Sequence, residues 1–131
     1  EMAKAVCEGV KSVAGGEVTF KKAAEAGAND LLGCDAVGLG SLTCFGYMAG
    51  GLKDFFERIM KDTMGKVEGK PYVAFGSTGR GGKEGIESIN KICSSYKMKQ
   101  VGEGVVATRK PTTEVLAECR ELGKKLATAK V

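Results

Sequence analysis

Asp35-Ala-Val-Gly-Leu-Gly-Ser41, running on into Leu42-Thr-Cys-Phe-Gly-Tyr-Met48, decides how this chain folds. The first seven residues are small and apolar at nearly every position, as in a strand covered on both faces in a parallel sheet. The residues from Leu42 to Tyr47 bring hydroxyls, two aromatics and a glycine, and read as a loop. From Met48 onward Leu52, Phe55, Phe56 and Ile59 recur at helical spacing until Gly65. The unit is therefore strand, loop, helix.

Downstream the same unit returns. Pro71-Tyr-Val-Ala-Phe-Gly76 is a second buried strand whose proline is acceptable at its first residue. Ser77-Thr-Gly-Arg-Gly-Gly82 is a polar glycine-rich loop, and Ile86, Ile89, Cys93 and Tyr96 mark the next helix. Lys99 to Thr108 reads as a final strand. Pro111 with Thr112 or Thr113 opens the last helix, lined by Val115, Leu116, Cys119, Leu122 and Leu126. Upstream, Met2, Val6, Val10 and Val13 predict a helix over Glu1 to Ala14, with Gly15-Gly16 as its stop. Glu17 to Lys22 alternates, with Val18 and Phe20 on one side, and predicts a strand near a sheet edge. Ala23 to Cys34 is a linker with one helical turn around Asn29 to Leu32. Such alternation predicts an α/β fold over residues 1–131 as one domain, a parallel sheet with helices on both faces in three layers.

Composition narrows the chemistry. The chain has 131 residues, 43% hydrophobic and 27% charged, an ordinary globular balance. It contains no apolar run long enough to span a bilayer and no secretory signal pattern, which points to a cytoplasmic protein without membrane contact. The 20 Lys and Arg against 16 Asp and Glu give a net charge of +4. They are scattered in short pairs, not in the basic stripe that nucleic-acid binding needs. Five cysteines without a Cys-x-x-Cys pair support neither a disulfide framework nor a zinc site. With no histidine, the commonest general base, metal ligand and triad partner is missing, so chemistry must come from a bound cofactor or not at all. Glycine is the informative excess: 20 residues, about twice the roughly 7% average share.

In open α/β sheets ligands sit beyond the carboxyl ends of the strands. Two loops qualify. Ser41 to Met48 offers Ser41, Thr43, Cys44, the aromatics Phe45 and Tyr47, and Gly46, a surface against which a planar ring could lie. Ser77, Thr78, Gly79, Arg80, Gly81 and Gly82 offer hydroxyls, unobstructed backbone N–H groups and one guanidinium at the start of a helix. The second loop lacks the Lys-Ser/Thr ending of a P-loop and the dinucleotide fingerprint after a first strand.

The segments Val37-Gly-Leu-Gly-Ser-Leu-Thr-Cys-Phe-Gly-Tyr-Met-Ala-Gly-Gly-Leu-Lys-Asp-Phe-Phe56 and Gly69 to Gly82 together resemble the flavodoxin family. The likeness is strongest to its branch with a Gly-Ser-Pro-Thr-x-Phe-Gly-x-Met loop, which includes quinone reductases. Leu42 stands where that loop carries proline. The resemblance implies five parallel strands in the order 2-1-3-4-5 and FMN bound at their ends. It implies Ser41, Thr43, Cys44, Phe45, Gly46 and Tyr47 in one flavin loop and Ser77 to Gly82 in the other. It also implies an electron carrier serving a redox partner protein or a small-molecule acceptor, with oligomerisation left open. An NAD(P)H-dependent quinone or flavin reductase and a flavin-free interaction domain are the alternatives. The short connections favour the carrier. The family's first strand and its hydroxyl-rich phosphate loop are expected ahead of Glu1. Without them the strands at Val18 and Val37 are expected to lack their shared neighbour, leaving the sheet unable to close.

Overall fold

The computed structural model describes residues 1–13, 17–79 and 82–129. Among the described residues five helices, α1 (Met2–Lys11), α2 (Ala28–Gly33), α3 (Gly50–Thr63), α4 (Glu84–Ser95) and α5 (Thr113–Thr128), flank five strands. The strands are β1 (Val37–Cys44), β2 (Tyr47–Met48), β3 (Pro71–Thr78), β4 (Lys99–Gln100) and β5 (Val105–Thr108). β3 is central and buried almost throughout. It pairs in parallel with β1 on one side, and with β4 and β5 on the other.

The period-2 alternation of β3 separates two cores. Val73 and Phe75 join Val6, Cys119, Leu122 and Leu126 under α1 and α5. Tyr72 and Ala74 join Leu39, Leu52, Phe55, Ile59 and Ile89 on the α2–α3–α4 side. This is the expected α/β sandwich with a mostly parallel sheet, and among the described residues no helix is long and apolar enough to cross a membrane.

Four expectations change. Glu17–Lys22 forms no strand: Phe20 is 61% exposed, because alternation alone cannot hold a strand that has no ladder partner. Leu42–Tyr47 is not an open loop, since β1 runs to Cys44 and turns back after two residues into β2. That makes the sheet mixed, with β2 antiparallel, in the order β2-β1-β3-β4 and β5 beside β3. Lys99–Thr108 is interrupted at residues 101–104, where Gly102 and Gly104 pass close under Leu122 and Ile86. The expected helix stop at Gly15-Gly16 lies outside the described residues.

Among the described residues nothing pairs with Val37–Leu42 on the side of β1 away from β3. That edge opens into a cleft of about 1220 Å³ with Val6, Val10 and Leu126 on one wall and Leu31, Leu52 and Phe55 on the other. β1 is accordingly half exposed although its composition suits full burial.

Candidate functional site

The β1–β3 register pairs Ser41 with Gly76 and Leu42 with Ser77, so the two glycine-bearing loops leave the same end of adjacent parallel strands. Between them lies a cleft of about 280 Å³ lined by Ser41, Leu42, Phe75, Gly76 and Ser77. Its remaining walls are Glu1, Met2 and Ala3 at the start of α1, and Pro111. Glu1, Met2 and Ala3 thus bring the start of α1, the positive end of its dipole, to this end of the sheet.

The first loop is a tight hairpin. Cys44 pairs with Tyr47 and Thr43 with Met48, leaving Phe45 (φ 52°) and Gly46 (φ 75°) as its tip. Positive φ at both central residues is what a two-residue turn of type I′ requires. Phe45 is fully exposed, Tyr47 is 39% exposed, and a Cβ added to Gly46 would meet nothing within 4 Å. The tip thus presents one aromatic face and bare backbone.

Side chains lower in the hairpin turn elsewhere. Thr43 Oγ1 lies against α4, where a Cβ on Gly85 would come within 2.3 Å of it. Ser41 Oγ accepts from Ala49 N at 2.8 Å and donates to the Leu42 carbonyl at 2.7 Å. Cys44 is exposed. Ser77 faces the cleft, whereas Thr78 is buried at the end of β3. Gly79 is exposed, and its carbonyl accepts from Arg109 Nε at 3.3 Å. Gly82 has φ 97°. Arg80 and Gly81 lie outside the described residues.

Of the candidate residues the cleft gathers Ser41 and Ser77; Thr43, Cys44, Phe45, Gly46, Tyr47, Thr78, Gly79 and Gly82 do not line it. Sequence reasoning missed Glu1 to Ala3, Leu42 and Pro111 in the lining; Pro111 follows β5, a third parallel strand ending at the same edge, and that position was the available signal.

The exposed aromatics and open glycine of the hairpin tip suit a planar ring, and the start of α1 suits an anion, although the Glu1 carboxylate also lines the cleft there. Fold and cleft together are those of an α/β protein with a candidate ligand site at the carboxyl edge of its parallel strands.

No family model matches the chain. It is 33% identical over 143 residues to a flavodoxin of Aquifex aeolicus (strain VF5), covering 97% of this chain and 77% of that relative. Among solved structures, a flavodoxin from the domain Archaea superposes with a TM-score of 0.82 at 24% identity, over 96% of this chain and 85% of the other. The two-electron reduced flavodoxin of Megasphaera elsdenii gives 0.79 at 23% identity, over 98% and 89%. These two carry the fold. The sequence relation carries the family: this chain belongs to the flavodoxins, FMN-binding electron-transfer proteins.

Proposed function

We propose that this chain is an electron carrier whose FMN is held between the Ser41–Tyr47 hairpin and the Ser77–Gly82 loop. FMN when bound supplies the one- and two-electron chemistry. Phe45, Tyr47 and the Gly46 backbone flank its ring, Ser41 and Ser77 form the floor, and the first N–H groups of α1 take the phosphate. The observation that carries this reading is the Leu42–Ser77 register, which brings both loops to one cleft beside the α1 start. Residues 1–131 act as one domain, in the cytoplasm, where five free thiols are at home.

The carrier reading is favoured over an NAD(P)H-dependent reductase by the lack of enclosure. The hairpin turn has two residues and its aromatic tip stands in solvent, open to a docking redox partner protein or a small acceptor. The test is titration of the purified chain with FMN, followed by addition of NADH or NADPH with a quinone. The expected result is 1:1 quenching of FMN fluorescence, weakened about tenfold by Ser77→Ala, and no steady consumption of nicotinamide. Sustained turnover would establish the reductase instead. Absence of any FMN binding would favour the flavin-free interaction domain.

A further inference from the structure

We propose that Ser88 is a positioning residue that locks the Phe45–Gly46 hairpin to the first turns of α4, so that a single helix sets both loops of the site. The proposal deepens the reading above and rests on its placement of FMN against the hairpin.

β2 has only two residues and cannot hold its own position through its ladder with β1. What fixes it comes from outside the sheet. Met48 N donates to Ser88 Oγ at 3.0 Å, across forty residues of chain, and Ser88 Oγ donates onward to the Gly85 carbonyl at 2.7 Å. Ser88 is only 8% exposed, so water competes poorly for this acceptor. One turn earlier, Gly85 lets α4 approach the hairpin on its other side, at Thr43, where any Cβ would collide with Oγ1. Ser41 Oγ secures the next backbone donor, Ala49 N. The base of the hairpin is thus held at two successive N–H groups by two serine hydroxyls.

The same helix begins two residues after Gly82, so the exit of the second loop is fixed to the element that grips the first. A displacement of α4 moves both loops together. Ser88 itself does not line the cleft between β1 and β3.

The test compares Ser88→Ala with Ser88→Thr, which keeps the hydroxyl, and with Ser95→Ala, an exposed serine farther along α4 whose hydroxyl bonds only the Lys91 carbonyl. Two readouts are taken: chymotrypsin cleavage after Phe45 in the apo chain, and FMN affinity by fluorescence quenching. Far-UV circular dichroism establishes that each variant is folded. Ser88→Ala is expected to speed cleavage about fivefold and weaken FMN about tenfold, with Ser88→Thr restoring both at least in part and Ser95→Ala changing neither. Unchanged cleavage in folded Ser88→Ala, or equal effects of Ser95→Ala, would overturn the lock. Faster cleavage with unaltered FMN affinity would overturn the placement of FMN against the hairpin, and Ser88's role in the site with it. If Ser88→Ala does not fold, Ser88→Thr is compared with Ser88→Val, which has the same shape without the hydroxyl: cleavage and affinity closer to wild type in Ser88→Thr than in Ser88→Val support the lock, and equal values refute it.

Discussion

Phe45 holds φ at 52° at the solvent-exposed tip of the β1–β2 hairpin, a conformation bulky side chains rarely take. Left-handed backbone costs about 1–2 kcal/mol for most residues and less for asparagine. A fully exposed aromatic gains no packing that would offset this within the chain. Strain without local return is what motivates the proposed place of Phe45 beside the ligand. The two roles separate in one substitution: Phe45→Asn is expected to raise the stability of the apo chain by about 1 kcal/mol in urea unfolding while weakening FMN binding. A loss in both measurements would show that the ring serves packing. Neither φ nor the turn was legible in the sequence. Phe45-Gly46 does not carry the Asn-Gly signal of a two-residue hairpin, so Leu42–Tyr47 read as a loop.

The helices were the legible elements, because an apolar face at 3.6-residue spacing is a property of the segment itself. α3 and α4 bury the residues their periodicity selects, and α5 buries Cys119, Leu122 and Leu126 while leaving Val115 and Leu116 half-buried. The Glu17–Lys22 strand was misread because a strand is a property of a pair, and the sequence shows only one member. The close contact between α1 and α5 was also invisible. Gly9 and Gly123 face each other's helices so tightly that a Cβ on Gly9 would lie 2.0 Å from the Arg120 carbonyl, and one on Gly123 2.1 Å from that of Val6. Helical propensity alone makes Gly123→Ala favourable by about 1 kcal/mol. Because the obstacle is backbone, the helices must part, and the net effect expected is a loss of about 1–3 kcal/mol, read as a lower urea midpoint. Increased stability would show that the helix pair is looser than this geometry.

For the molecule as a whole, the α/β class and the shared edge of the two loops followed from strand–loop–helix repetition, while which loop residues reach the cleft depended on strand parity and helix contacts. The buried thiols bear on stability at high pH. Burial pushes Cys93 from 9.0 up to about 12 and Cys119 up to about 11, and burial raises Tyr72 to about 12, its Oη being 2.8 Å from Asn90 Oδ1. These groups stay protonated in the folded chain at pH values where the unfolded chain has already released its protons. Their contribution is complete below about pH 9 and is lost as pH rises toward the folded values. Urea midpoints are expected to hold up to about pH 8 and fall steadily toward about pH 11, at up to about 1.4 kcal/mol per pH unit for Cys93 alone. A flat profile over that range would mean that the thiols ionise equally in both states. The bare flank of β1 shapes a different behaviour, that of many copies together. Alternate peptide groups along Val37–Leu42 offer hydrogen bonds to any stretched polypeptide that slides between the two greasy walls, and a slot walled on both sides turns away an intact folded surface. Self-association that rises with concentration and adds extended strand content is the expected consequence, read by light scattering and infrared spectroscopy.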